Sequence, residues 1–174
     1  VHDLSDKLGK KVQLRLSGDD TAVDKTIIDK MSAPLVHLVR NSLDHGFETP
    51  DERAAAGKRE TGTLHLNVSL RGDGIVFEIR DDGRGLSRDG IVNCAIERGL
   101  LHSGSHLGES EVYKLIFQPG LSTSVKVGDV SGRGVGMDVV RRNINELGGT
   151  IEIESTAGEG CAFIMHVPLE KGRL

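Results

Sequence analysis

Asp81-Asp82-Gly83-Arg84-Gly85 follows directly on the alternating apolar run Ile75, Phe77, Ile79, which puts two carboxylates and two glycines at a strand end. There Asp81 can accept a hydrogen bond from the exocyclic amine of a purine. Gly83 and Gly85 let the backbone approach the flat ring with no side chain between. The competing reading of this stretch is an acidic turn after a strand. A second cluster, Gly132-Arg133-Gly134-Val135-Gly136, opens a helical pattern. Backbone N–H groups at Gly132, Gly134 and Gly136 can therefore face phosphate oxygens near the positive end of a helix dipole. In a third cluster, His37 and Asn41 stand four residues apart, with Asp44 and His45 further along the same polar face. The amide oxygen of Asn41 can ligate a magnesium ion that carries phosphates, with His37 one turn earlier. A polar helix face packed on a loop is the competing reading for these four.

The elements that must position these residues follow from hydrophobic period. Val12, Leu14 and Leu16 alternate as a half-buried strand that ends at Ser17-Gly18. Lys25 to Met31 reads as a short helix. Ser32 as N-cap and Pro34 in the first turn then predict a separate helix from about Ala33 to His45, stopped by Gly46. Thr49 to Gly62 is a polar stretch. Leu64 to Leu70 and Ile75 to Ile79 form a hairpin about Gly72-Asp73-Gly74. Gly90 to Arg98 and Glu111 to Phe117 read as helices, and Gln118 to Val130 as a mobile loop. A helix from about Val135 to Leu147 and strands at Thr150 to Glu154 and Cys161 to Val167 complete the pattern. Hairpins without a βαβ rhythm predict an α+β two-layer sandwich.

The 174 residues correspond to about one domain. Its core must be aliphatic, because aromatic residues make up only 3% of the chain. Glycine numbers 23, well above ordinary usage, in a sequence otherwise fit to fold. Twenty-two basic against 26 acidic residues give a net charge of −4. That balance supplies no footprint for nucleic acid or for direct contact with an anionic membrane. No apolar run is long enough to span a bilayer, and Val1-His2-Asp3 does not begin a secretory signal, so a cytoplasmic location is expected. Cys94 and Cys161 have neither disulfide-framework nor zinc spacing and read as buried small hydrophobes. The glycine clusters fit neither the dinucleotide fingerprint, which needs a strand directly before the glycines, nor a Walker loop, which is absent. Residues 1–8 read as the tail of an upstream helix or linker, 9–170 as the domain, and 171–174 as a linker stub.

Taken jointly, these residues resemble a known family. His37-Leu-Val-Arg40-Asn41-Ser-Leu-Asp44-His45-Gly46 is similar to the N-box of CheA chemotaxis histidine kinases. Asp81 to Leu86 resembles the family's first glycine box, and Phe117-Gln-Pro119-Gly120 its F-box. Ser131 to Asp138 resembles the second glycine box and Gly158-Glu-Gly160 the third. The boxes stand in family order over about Asp24 to Leu169. The resemblance implies the Bergerat-type ATP-binding fold of the gyrase, chaperone, kinase and MutL superfamily, a mixed sheet covered on one face by helices. It implies ATP and Mg2+ as ligands, with Asp81 on the adenine amine and Asn41 on the magnesium. His37, Asp44 and His45 would lie beside the phosphates, and Ser122, Thr123 and the Gly132 to Gly136 turn would cover them. His37 would activate the attacking imidazole, orient it, or only contact the γ-phosphate; spacing does not choose.

The implied activity is transfer of the γ-phosphoryl group to a histidine on a separate phosphoacceptor domain of the same kinase. Indirect partners are a response regulator, a coupling protein and chemoreceptors. Two alternatives stand beside it. One is a nucleotide-sensing module without transfer. The other is a gyrase or MutL-type ATPase, disfavoured because the glutamate typical of that N-box is absent. Lys126 and Arg133 read as solvated loop charges. Leu121 and Ser124 depart from the Phe and Lys often found in the lid, and Cys161 replaces a usual Thr, removing a hydroxyl from the adenine pocket.

Overall fold

The structure, a computed structural model, describes residues 9–18, 25–72, 74–99, 101–102, 107–117 and 137–168. Five strands form one sheet: β1 (Val12–Gly18), β2 (Gly62–Arg71), β3 (Gly74–Asp81), β4 (Thr150–Thr156) and β5 (Gly160–Pro168), in the order β1-β2-β3-β5-β4. The β2–β3 hairpin and the β4–β5 pair are antiparallel as expected, with Leu66 opposite Ile79 and Ile153 opposite Phe163. The expectation of hairpins without a βαβ unit fails at β1. That strand runs parallel to β2, with Leu14 opposite Leu64. A parallel neighbour needs a long crossover, and the helices between Gly18 and Gly62 supply it.

The period of two along each strand sorts side chains between the faces. Leu64, Ile75, Phe77, Ile79, Phe163, Met165 and Val167 are buried in the apolar core. Helices α1 (Lys25–Asn41), α3 (Arg88–Glu97) and α5 (Met137–Glu146) add Ile27, Met31, Leu38, Ile91, Ala95, Val140 and Ile144 to the same core. Arg80, Glu154 and His166 belong to the opposite, uncovered face. The result is the expected two-layer α+β sandwich with helices on one side of a mixed sheet. A π-helical turn (Ser42–Gly46) follows α1, and short helices α2 (Pro50–Ala55) and α4 (Glu109–Lys114), the latter continued by a 3-10 turn at Leu115–Phe117, complete the helical elements among the described residues. No helix among the described residues is long and apolar enough to cross a membrane.

One element differs from the sequence reading. Lys25–Asn41 is a single helix with Pro34 inside it, not a short helix followed by one capped at Ser32. An interior proline forfeits one helix hydrogen bond and costs about 3 kcal/mol. Ile27, Met31, Pro34 and Leu38, spaced by four, three and four, are all buried on one stripe. Burial contributes roughly 1.5–3 kcal/mol for each large apolar side chain, so the stripe outweighs the proline. Thr49 to Gly62 also hides α2. Thr49 accepts from the Glu52 amide while the Glu52 carboxylate accepts from the Thr49 amide, a capping box with Pro50 in the first turn.

Candidate functional site

Asp81 ends β3 on the helix-covered face and is 6% exposed. Its Oδ1 accepts the Gly83 N–H at 2.9 Å and its Oδ2 the Ser42 hydroxyl at 3.3 Å. An ionised carboxyl offers roughly four acceptor positions. Two are filled by described residues, Gly83 and Ser42, which leaves acceptor capacity for an incoming N–H. Burial pushes the Asp81 pKa above its ordinary value, against the pull of the hydrogen bonds from Gly83 and Ser42. Asp82 is turned to structural work: its Oδ1 accepts the Thr63 amide at 2.9 Å, and its Oδ2 lies 3.2 Å from Arg53 Nη2.

Glycines close the walls around Asp81. A Cβ on Gly83 would stand 2.1 Å from the Gly46 carbonyl oxygen, and the Arg84 amide donates to that same oxygen at 2.9 Å. The two boxes thus meet backbone to backbone. Gly85 adopts φ +74°, a left-handed conformation that favours glycine, and a Cβ there would lie 2.6 Å from the Thr156 carbonyl oxygen. Behind Asp81, a Cβ on Gly160 would sit 2.0 Å from the Asp81 carbonyl oxygen. The third glycine box therefore reaches the same strand end.

The N-box helix does not run on to His45. After Asn41 the backbone widens into a π-turn, Ser42–Gly46, closed by the Phe47 amide on the Ser42 carbonyl at 2.9 Å. Such turns recur at functional sites. Here the extra residue per turn breaks the expected single polar face. His37 and Asn41 remain on α1, whereas Asp44 and His45 sit on the π-turn, with Asp44 Oδ2 3.4 Å from His45 Nε2. The turn brings Ser42 onto Asp81. Lys10 anchors it from outside, donating to the carbonyls of Leu43 and Asp44 at 2.8 Å each.

His37 lies one turn before Asn41, about 7.5 Å along the helix axis from Ser42 at 1.5 Å per residue. Burial, with Arg40 nearby, lowers the His37 pKa, and Asp138 pulls the other way. The ring is therefore neutral at neutral pH. Asn41 Nδ2 donates to Met137 Sδ at 3.1 Å, which leaves Oδ1 as its uncommitted oxygen. Ser122, Thr123, Gly132, Gly134 and Gly136 lie outside the described residues, as do Leu121, Ser124, Lys126 and Arg133.

Cys161 is buried, and burial together with the Asp81 charge pushes its thiol pKa up to about 12. Cys94, expected to be buried, is only partly so. Sequence reasoning missed Ser42, which stands inside the N-box but has no distinguishing spacing. It also missed Met137, and the cations Lys10, Arg53 and Lys58, which grip backbone carbonyls around the site.

Residues 30–171 match the family described as histidine kinase-, DNA gyrase B-, and HSP90-like ATPase. The chain is 52% identical over 169 residues to Chemotaxis protein CheA of Klebsiella aerogenes, covering 97% of this chain and 26% of that protein. It is 48% identical over 169 residues to Chemotaxis protein CheA of Rhizobium meliloti, covering 97% of this chain and 22% of that one. The chain thus spans about a quarter of the length of these curated relatives. Among solved structures, the histidine kinase domain of the blue-light activated kinase of Erythrobacter litoralis aligns at a TM-score of 0.55 and 16% identity, covering 98% of this chain and 58% of that one. The Acinetobacter baumannii histidine kinase AdeS aligns at 0.55 and 17% identity, covering 98% and 59%. These two share the fold. By its match over residues 30–171, with CheA chemotaxis proteins among its relatives, this chain belongs to the histidine kinase-, DNA gyrase B-, and HSP90-like ATPase family.

Proposed function

We propose that this chain is the ATP-binding catalytic domain of a CheA-like chemotaxis kinase, which transfers the γ-phosphoryl group of Mg-ATP to a histidine on a separate phosphoacceptor domain. The observation that carries the reading is Asp81: a buried carboxylate held by the Gly83 N–H and the Ser42 hydroxyl with acceptor capacity left, walled by glycines from three boxes. The vacant position suits the exocyclic amine of adenine. Gly83 and Gly85 let the turn after Asp81 close on the Gly46 and Thr156 carbonyls, which fixes the main chain beside that position. From there α1 leads away through Asn41 to His37, so the triphosphate lies along the N-box.

Phosphoryl transfer needs positioning and charge neutralisation more than covalent help from the protein. Magnesium fits the donor chemistry, since it takes one or two protein oxygens together with substrate phosphates, and Asn41 Oδ1 is such an oxygen. When bound, the ion neutralises phosphate charge. Neutral His37 offers a ring nitrogen to orient the attacking imidazole or to take its proton. Asp44 and His45 border the phosphate end on the π-turn. The resemblance assigns Ser122, Thr123, Gly132, Gly134 and Gly136, which lie outside the described residues, to the phosphates. A response regulator, a coupling protein and chemoreceptors stand further along the same signalling chain.

The test is to mix the chain with labelled ATP, magnesium and an isolated phosphoacceptor domain, and to follow acid-labile phosphohistidine. Label on the acceptor is expected. Tight ATP binding with no transfer would favour a nucleotide-sensing role, and phosphate release without an acceptor a gyrase-type ATPase. In the same assay, Asn41→Ala should bind ATP with an affinity that no longer responds to magnesium. A normal magnesium response would remove Asn41 as the ligand.

A further inference from the structure

Between the N-box and β2, the chain places two cations behind the Asp81 turn. Lys58 Nζ donates to Glu48 Oε2 at 2.7 Å, to the Asp82 carbonyl at 3.1 Å and to the Gly83 carbonyl at 2.8 Å. Those three bonds use every proton of the ammonium. Arg53, 2% exposed, donates through Nε to the Arg59 carbonyl at 2.6 Å and through Nη1 to Glu48 Oε1 at 3.0 Å and the Asp82 carbonyl at 3.1 Å. Buried Glu48 holds the two cations together.

Two of the carbonyls they grip, those of Asp82 and Gly83, belong to the peptide groups that follow Asp81. The Asp82 carbonyl shares its peptide with the Gly83 N–H, which donates to Asp81 Oδ1 at 2.9 Å. The Gly83 carbonyl shares its peptide with the Arg84 N–H, which donates to the Gly46 carbonyl at 2.9 Å. A cation on a carbonyl polarises the amide and strengthens its N–H as a donor, because hydrogen bonds in series reinforce one another. A planar peptide also transmits orientation from its oxygen to its N–H without slack.

We infer that Lys58 and Arg53 are positioning residues for nucleotide recognition, which fix and polarise the Asp82–Gly83 and Gly83–Arg84 peptides so that Asp81 presents its remaining acceptor position to the adenine amine. The inference rests on the reading of Asp81 given above. Lys58 is the group to vary, being 19% exposed at its side chain, whereas Arg53 is enclosed.

Lys58→Met keeps the stem and removes the donors. Calorimetric Kd values would be compared for ATP and for purine riboside triphosphate, which is ATP without the exocyclic amine. The unmodified chain should prefer ATP. Lys58→Met should bind ATP about tenfold more weakly and the amine-free analogue within twofold of the unmodified chain, and Lys58→Arg should regain most of the difference. Equal weakening toward both nucleotides, or no change toward either, overturns the inference. If the Met variant does not fold, Lys58→Gln carries the same expectation; failure of both to fold makes Lys58 a stability residue and overturns it as well. The outcomes separate the two readings. If Asp81→Asn abolishes the preference for ATP and Lys58→Met leaves it intact, only the positioning role falls. If the unmodified chain shows no preference, the Asp81 assignment falls and takes the positioning role with it.

Discussion

Asp81 is held in a state that water would not give it. Hydrogen bonds to a charged partner contribute about 1.5–3 kcal/mol, which corresponds to roughly 10- to 150-fold in affinity. Asp81→Asn, which puts an amide where an acceptor oxygen is required, should weaken ATP binding by at least about tenfold in titration calorimetry. Unchanged affinity would move the adenine elsewhere. His37 makes a prediction about pH. Its folded pKa is lowered from 6.5, so on acidification the unfolded chain takes up this proton first. The associated stability is present above pH 6.5 and is lost as pH falls from there through the folded value. On the proposed role of His37, the neutral ring is the working form. The ratio of transfer rates, unmodified chain over His37→Gln, should fall on acidification with a midpoint below pH 6.5. A midpoint above 6.5 would contradict the lowered His37 pKa. Asp81, His37 and Asn41 stand out in the sequence as candidates because their side chains name the chemistry they could do. Ser42 was not, since its role depends on a π-turn that no residue spacing announces.

At the scale of elements, the hairpin β2–β3 was plain because its alternation and its Gly-Asp-Gly turn agree. The long helix α1 was not. Ser32 and Pro34 carry local signals for a helix start, and only burial of the Ile27 to Leu38 stripe overrides them. Parallel β1 escaped for a related reason, since strand partners separated by two helices leave no short-range pattern. Helix α2 did have a signal, the Thr49–Glu52 capping box, hidden within polar composition. This helix carries Arg53 toward the Asp81 turn. Thr49→Ala should cost about 1 kcal/mol of unfolding free energy in urea titration. A loss below about 0.3 kcal/mol would mean that tertiary packing alone holds α2.

At the scale of the molecule, the site joins parts that are far apart in the chain. The N-box, the strand end after β3 and the turn before β5 meet around one carboxylate. A ligand bound there should stabilise the fold as a whole. At a hundredfold excess over Kd, ATP adds about 2.7 kcal/mol. For a domain of this size that corresponds to a rise in Tm of roughly 5–10 °C. Asp81→Asn at the same ATP concentration should show a clearly smaller rise in scanning calorimetry. A full rise in that variant would place the bound nucleotide away from Asp81.

The backbone seam between Gly46 and Gly83 also bears on how such a sequence can change over time. Gly83 has no room for even one methyl group while the Gly46 carbonyl occupies that space, and Gly160 is blocked in the same way by Asp81 itself. A substitution at Gly83 or Gly160 cannot be absorbed by a rotamer change, because the obstacle is main chain. Mutational drift is therefore shut off at these positions, whereas the neighbouring Arg84 side chain reaches solvent past its contacts to the Phe47 carbonyl and Glu52 and meets no such obstacle. The shape of the pocket is inherited through what the chain lacks at these positions.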